Sequence, residues 1–211
     1  MRAISSNNQA ALEAKQLVAR DFLWVEAREF VSRDPVSQGF WSGVGNVTAQ
    51  VLNPLTGLSS ERSWTGSGSL IQISDIPLVA NGTVQSITIE TSQLHAQVET
   101  VFRDYDCKQA RIEVYRGLFD PTTRALVAPA FCRFFGFLDG DPITTPREGE
   151  GGKIELTAKS HTQEFIRSNP ETRSQVSQIK RSATDIFYKD AGVVGDWEIF
   201  WNDKRGKVPK K

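Results

Sequence analysis

The feature that most constrains the fold is a series of short segments in which apolar and polar residues alternate. Two clear examples are QARIEVYRGLF at 109–119 and KIELTAKS at 153–160. A period of two places apolar side chains on one face of a strand and polar side chains on the other. The residues expected on the apolar faces are Ala110, Ile112, Val114, Leu118, Ile154, Leu156 and Ala158. The residues expected on the opposite face of the first segment are Arg111, Glu113 and Tyr115. Both segments predict strands of an antiparallel meander.

Four further strands are predicted at residues 22–27, 69–73, 83–90 and 94–102. The intervening turns are RDPVSQG, ANG, DPTTR and GEGG, which are rich in the residues that turns favour. The last of these strands rests on the alternation of Leu94, Ala96, Val98 and Phe102 with His95, Gln97, Glu99 and Val101. The number of short strands favours a barrel or a sandwich.

Two details of parity refine this prediction. Val84 does not share the face of Ile87 and Ile89, which predicts a bulge or a two-sided strand near Gln85. In VAPAFCRFFGFLDG, at 127–140, apolar residues occupy both faces, which predicts a central strand, or one covered on both sides, with buried phenylalanines. Phe131, Phe135 and Phe137 have one parity, and Phe134 and Leu138 have the other.

The two ends of the chain lack this alternation. Ser6 and Gln9 match a capping box, and Ala14, Leu17 and Val18 follow with helical spacing, which predicts a helix of about three turns. After His161 the chain is polar, and Val176 and Ile179 are spaced for one face of a helix. We therefore predict a mainly β protein in three parts. These are an N-terminal helix at 1–20, an antiparallel β-barrel at 21–161 and an extended or short-helical C-terminal arm at 162–211.

Composition excludes several classes of function. The 211 residues contain 25 basic and 25 acidic side chains, so no overall field attracts nucleic acid or a membrane surface. The longest apolar stretch, at 130–138, is far shorter than the roughly 20 residues that span a bilayer. Cys107 and Cys132 are too few for a disulfide scaffold or a four-cysteine metal site, and buried or half-buried thiols are expected.

The common catalytic and cofactor motifs are absent from the sequence. It contains no G-x-S-x-G, H-E-x-x-H or P-loop motif, and the glycines of GFWSGVGNV lack dinucleotide-binding spacing. His95 and His161 are predicted on separate strands, and surface or polar-network roles outweigh a metal site. Asp139 and Asp141 are better explained by a turn than by a calcium loop. RDYDCK at 103–108 is predicted to be a charged loop. We expect no catalytic, cofactor-binding or metal-binding residues and no enzyme activity.

The most suggestive segment is SATDIFYKDAGVVGDWEIFW, at 182–201. Paired carboxyl groups serve glycosidases as acid and nucleophile or base, and Asp185, Asp190 and Asp196 are the candidates here. Asp185 follows a threonine and is also suited to capping a helix. Trp197 and Trp201 share a face in a helix or a strand, and large aromatic side chains commonly anchor interfaces. The basic tail KRGKVPKK follows and is expected to be solvated or to dock a partner.

Six segments, in order, resemble those of one family. They are VARDFLWVEA, GFWSGVGNV, RSWTGSGSLIQIS, RDYDCKQARIEVYRGLFDPTTRALVAPAFCRFFGFLDG, GGKIELTAKSHTQEFIRSNPETRSQVSQ and DIFYKDAGVVGDWEIFW. The chain, from about residue 17 to residue 201, resembles the tail-tip (baseplate) hub proteins of long-tailed bacteriophages, a group that includes the gene transfer agent hub. Each motif is weak alone, and the order and spacing carry the resemblance.

The resemblance implies a β-barrel related to phage tail-tube proteins. It also implies a structural virion protein that forms a ring, commonly a trimer, which connects the tail tube to the tip and continues the DNA channel. The implied partners are the distal tail ring, tape measure and tip or fibre proteins, with DNA only passing through and no membrane insertion. The implied location is the virion tail tip, after assembly in the host bacterial cytoplasm. The cluster-binding cysteines of some larger relatives have no counterpart beyond Cys107 and Cys132.

Three alternatives remain open from the sequence. The distal tail ring protein is also a barrel, usually in a sixfold ring. A tail-associated peptidoglycan hydrolase would need two carboxyl groups roughly 5–10 Å apart in a cleft. A carbohydrate-binding module would need a flat, exposed row of aromatic side chains.

Overall fold

A computed structural model describes residues 4–77, 82–140, 143–144, 147–148, 152–168, 171–198 and 208–209. The chain divides into two compact units, Met1–Ile166 and Arg167–Lys211. The first unit contains a large antiparallel sheet and a separate two-stranded hairpin, so the protein is mainly β, as predicted.

The helices are α1 (Ser6–Ala14), α2 (Ala96–Glu99) and α3 (Gln175–Arg181). The strands are β1 (Val18–Arg28), β2 (Pro35–Trp41), β3 (Val47–Leu52), β4 (Ser59–Trp64), β5 (Leu70–Ile73), β6 (Ser86–Ser92), β7 (Asp106–Phe119), β8 (Phe131–Gly140), β9 (Ile143–Thr144), β10 (Lys153–Ser160), β11 (Trp197–Glu198) and β12 (Val208–Pro209). A π-helical turn covers Thr100–Asp104, and 3-10 turns cover His161–Phe165 and Val194–Asp196.

The large sheet has the order β2-β1-β7-β8-β10-β6-β5, with β9 paired to β10. Apolar residues of all seven strands on the main path, among them Phe40 of β2 and Leu70 of β5, contribute to one core. The sheet therefore curves around that core. Among the described residues no ladder joins β2 to β5, so the sheet is open and the predicted closed barrel is not found. A single bridge joins Phe40 to Thr65, which lies between β4 and β5.

The alternating segments predicted most clearly are strands of this sheet. Every residue expected on the apolar faces of 109–119 and 153–160 is buried. Ile87 and Ile89 are likewise buried in β6. The strand β8 pairs with β7 on one side and β10 on the other, which confirms its predicted central position. Gly136 of β8 is required at this crossing, because a Cβ there would overlap the Lys159 carbonyl.

The strand predicted at 94–102 is wrong. This segment forms α2 and the π-helical turn, and it buries Val98, Val101 and Phe102 in the sheet's core. These three residues have the i, i+3, i+4 spacing of a helical face, which the apparent alternation obscured. Leu94, which the strand pattern placed on the apolar face, is 92% exposed.

Three predicted boundaries also differ. The first helix is capped by Ser5 and ends at Ala14, because Lys15 adopts a left-handed conformation with φ 56° and β1 begins at Val18. The pairing of β5 with β6 is irregular between Leu70 and Gln72 of β5, whereas Gln85 precedes β6 and hydrogen-bonds to Ser160. The turn DPTTR is present, with the Asp120 carboxylate accepting from the Thr122 backbone. The turns ANG and GEGG lie mostly outside the described residues.

The β3–β4 hairpin, which packs on the outer face of the large sheet, was not predicted. Ala49, Val51 and Trp64 of the hairpin join Phe22 and Tyr115 of the sheet in a second core. The sheet is thus apolar on both faces where β1 and β7 run together. This second core adjoins the one fully buried charged side chain in the described part of the chain, Glu113.

Candidate functional site

In the segment 182–201, whose carboxylates suggested catalysis, Asp185 stabilises the local structure. Its Oδ1 accepts the Phe187 N–H at 3.0 Å, and its Oδ2 accepts the side-chain amide of Gln178. The Phe187 N–H, and then the Gln178 amide, lower the pKa of the exposed Asp185 carboxyl. No helix begins at Asp185, so the prediction that it caps a helix is wrong. Asp185 lies in a turn that hydrogen-bonds to α3, and the N-cap of α3 is Ser174. Asp190 lies in the following turn, and the side chain of Asp196 lies outside the described part.

The two predicted tryptophan anchors are only partly described. Trp197 begins β11 and pairs with Pro209 of β12, while Glu198 pairs with Val208. The side chain of Trp197 and the whole of Trp201 lie outside the described residues. The role of both as interface anchors remains a prediction.

The histidines and the DGD turn do not form a metal centre in the described ranges. No group of three or more His, Cys, Asp or Glu side chains converges there. His95 precedes α2, whereas His161 follows β10. The Asp139 carboxylate forms an ion pair with the Lys159 ammonium group at 2.7 Å, and Asp141 lies outside the described residues.

The cysteines have the environments that their number suggested. The buried Cys107 thiol donates to the Val101 carbonyl at 3.2 Å, and the half-buried Cys132 thiol donates to the Phe134 carbonyl at 3.3 Å. Both residues are described, and no disulfide joins them. Each thiol satisfies a carbonyl within its own neighbourhood and acts as a small packing group.

The phenylalanines of β8 are only partly buried, contrary to the prediction. Phe134 is in the core, but Phe135 and Phe137 are half-buried on the outer face. The exposed ring of His161 stacks on Phe135 with ring centroids 5.0 Å apart, and it lies 5.6 Å from Phe137. The guanidinium of Arg111 covers Phe135 at 4.9 Å. These rings pack against one another and against a cation, so they do not form the flat, exposed row that carbohydrate binding needs.

The strongest electrostatic feature is an ion-pair network around Glu113, which sequence reasoning missed. Arg62 of β4 donates to Glu113 Oε2 at 2.5 Å, and Arg111 pairs with Oε1. The Tyr115 hydroxyl also donates to Oε2, at 2.6 Å. The guanidinium of Arg62 lies 4.4 Å above the Trp24 ring. Alternation had placed Glu113 on a polar face, but no local signal could reveal Arg62, which lies 51 residues away.

This network has a defined charge state. Burial by itself raises the pKa of Glu113, but the hydrogen bonds from Tyr115 and Arg62 and the charge of Arg111 hold that pKa below its ordinary value. Burial, followed by the hydrogen bond to Glu113, raises the pKa of Tyr115 far above its ordinary value. Glu113 is therefore an anion and Tyr115 a neutral donor near pH 7. The network joins the hairpin to the sheet through fixed charges.

Apolar side chains are exposed at two turns of the first unit. In the β3–β4 loop, Leu55 is 63% and Leu58 is 69% exposed. This loop is well ordered by hydrogen bonds, since Asn53 Oδ1 accepts the backbone N–H groups of Leu55 and Thr56 at 2.9 and 3.2 Å. In the β1–β2 turn, Phe30 and Val31 are exposed as well. Exposed apolar groups on ordered loops are suited to contacts with another protein.

Comparison with known proteins does not identify the chain. No family model matches it, and a search of curated proteins gives no significant match. In the described part of the chain, no helix has the length and apolar character needed to cross a membrane.

Proposed function

We propose that this chain is a structural protein of a bacteriophage tail tip, a hub that forms a ring and joins the tail tube to tip and fibre proteins. The observation that carries the proposal is the order of the six segments resembling phage hub proteins. The first five of them supply residues to β1, β2, β4, β5, β7, β8 and β10. The resemblance thus involves the strands that define the fold.

The mainly β architecture supports this function. The curved antiparallel sheet is the kind of scaffold from which tail-tube-related rings are built, and its terminal strands β2 and β5 leave edges that a neighbouring copy covers in the ring. Leu55 and Leu58 supply apolar contacts on an ordered loop. A head-to-tail contact between identical copies closes into a ring when the rotation between them permits.

Imaging tests the proposal directly. In cryo-electron micrographs of tails produced by the genome that encodes this chain, we expect it at the tail tip, in three copies, around the channel. Six copies above the tip would instead assign it to the distal tail ring. Its absence from the tail would contradict both assignments.

The predicted aromatic anchors give a biochemical test. Replacing Trp197 and Trp201 by alanine should lower assembly into tail tips while the 23.5 kDa chain stays soluble, because large aromatic side chains carry much interface energy. The matched control replaces Ile186 and Phe187, which are exposed apolar residues of the same unit, by alanine. Assembly by the tryptophan variant at the wild-type level would contradict the anchoring role.

A further inference from the structure

A pocket of about 450 Å³ opens in the first unit where the start of β1 meets the β2–β3 and β7–β8 turns. Trp41, Val44 and Phe119 line its apolar part, and Arg20 and Arg124 lie at its rim. Its volume is in the range of pockets that hold a ligand or a large side chain.

The apolar floor of this pocket is preformed. The indole of Trp41 donates to the Gly45 carbonyl at 2.8 Å and stacks on Phe22 with centroids 5.8 Å apart. A Cβ at Gly43 or Gly66 would overlap this indole, so both glycines are needed for its position. Gly43 of GFWSGVGNV therefore has a packing role. Binding at such a floor costs little reorganisation.

The rim is positively charged, and in the described part of the chain no carboxylate forms an ion pair with its cations. Within the described ranges, neither Arg20 nor Arg124 forms an ion pair, and Arg20 only donates to the Ser42 carbonyl at 3.5 Å. The one lining carboxylate, Asp120, accepts from the Thr122 backbone at 2.8 Å and the Thr123 hydroxyl at 3.1 Å. Val44 is 88% exposed beside them. A fitting ligand combines carboxylates with large apolar groups.

The chain itself carries such a ligand in the sequence DWEIFW, at 196–201. Asp196 ends a 3-10 turn and Trp197 begins β11. From Trp197 onward, an extended backbone would place Trp197, Ile199 and Trp201 on one side and Glu198 on the other. We propose that this pocket receives the segment 196–201 of a second copy, with the aromatic side chains on Trp41 and the carboxylates at Arg20 and Arg124. The inference rests on the proposed function, and it names the surface on which ring closure occurs.

A binding experiment tests the pocket apart from the ring. The acceptor is the full-length chain with Trp197→Ala and Trp201→Ala, and the probe is a fluorescein-labelled DWEIFW peptide followed by anisotropy. We expect saturable binding, weakened about tenfold or more by adding Arg20→Glu and Arg124→Glu to the acceptor. The matched control adds Arg28→Glu and Arg173→Glu, which are exposed and outside the pocket, and should bind as the acceptor does.

Charge exchange tests the same contact in the intact chain. Arg20→Glu with Arg124→Glu, and separately Asp196→Arg with Glu198→Arg, should each reduce the mass measured by light scattering towards 23.5 kDa. Combining all four substitutions should restore the larger mass, because opposite charges again face each other. A merely structural effect of the substitutions would not be restored.

The outcomes separate this inference from the proposed function. Equal binding of DWEIFW and the charge-reversed KWKIFW, or no binding by the acceptor, would overturn the pocket assignment. Normal ring assembly by the Arg20→Glu, Arg124→Glu chain would also overturn the pocket assignment, but it would not contradict the proposed ring. Specific peptide binding by the acceptor, with a wild-type chain that forms oligomers but is absent from tails, would support the pocket and overturn the proposed function. A wild-type chain that is monomeric in every preparation and absent from tails would overturn both.

Discussion

The two faces of the sheet at β1 and β7 are both buried but are stabilised in different ways. The inner face contributes side chains such as Val25, Ile112 and Val114 to a wholly apolar core. The outer face contributes Phe22 and Tyr115 to a core of aromatic rings that adjoins the charged Glu113 network. Burial on the inner face is non-directional, whereas the outer face depends on fixed hydrogen-bond geometry.

The difference between the two faces bears on how the β3–β4 hairpin is positioned on the sheet. Apolar packing tolerates small displacements of one layer over another, but an ion pair between Arg62 and Glu113 is satisfied in only one arrangement. Strand pairing within the hairpin sets Arg62 opposite Ala49, and Trp64 opposite Val47. We infer that the network fixes the hairpin relative to β7 and so orders the loop that exposes Leu55 and Leu58.

The largest effect is expected from removing the buried carboxylate. Glu113→Ala removes a fully buried carboxylate and leaves Arg62, whose side chain is only 12% exposed, without its partner, so the free energy of unfolding should fall by about 3–5 kcal/mol. Urea denaturation followed by tryptophan fluorescence measures this loss. The matched control is Glu99→Ala, which breaks the exposed Glu99–Arg103 pair and should cost about 0.5 kcal/mol or less.

A double variant distinguishes lost charge from lost packing. In Arg62→Leu with Glu113→Leu both charges are replaced by apolar side chains, and most of the stability should return. A double variant as unstable as Glu113→Ala would show that the network's charges are not the cause. Loss of order in the hairpin loop without loss of stability would favour a purely positional role.

Much of the inner core could be predicted because it depends on local alternation. Ala110, Ile112 and Val114 of β7 and Ile154, Leu156 and Ala158 of β10 were identified from a period of two, since one side of these strands faces a single core. The outer core could not be predicted in this way. Trp64 and Tyr115 lie on strands distant in sequence, and the contact between them depends on how the hairpin folds back.

The second largest effect is expected from a substitution on the inner face. Leu156 is fully buried in β10, and Leu156→Ala should lower the free energy of unfolding by about 2–5 kcal/mol through lost apolar burial and the cavity left behind. The matched control is Leu94→Ala, the same substitution at a residue that is 92% exposed. A cost at Leu94 similar to that at Leu156 would restore the strand predicted for 94–102 and contradict the helix found there.

The candidate site was predicted less well than the fold. The sequence drew attention to Asp185 and Trp197 because acids and aromatics are dense there, yet density does not specify which groups meet. The pocket at Trp41 combines the start of β1 with two turns from separate parts of the first unit, and its arginines look like ordinary surface residues in the sequence. The glycines of GFWSGVGNV were considered only as a dinucleotide-binding motif, and their spacing excluded that motif without indicating a pocket.

The smallest effect is a pH dependence that belongs to the outer face alone. The folded-state pKa of Glu113 is held below its ordinary value by Tyr115, Arg62 and Arg111, despite burial, which raises it. The contribution of Glu113 to stability is therefore complete above the ordinary carboxyl pKa and is lost as pH falls towards the lower folded-state pKa.

Denaturation midpoints measured from about pH 6 down to about pH 3 should fall less steeply in Glu113→Gln than in the wild type. Leu156→Ala should keep the wild-type slope at lower stability, since it leaves the network unchanged. Equal slopes in Glu113→Gln and the wild type would mean that other carboxylates govern acid sensitivity and that the two faces do not differ in this respect.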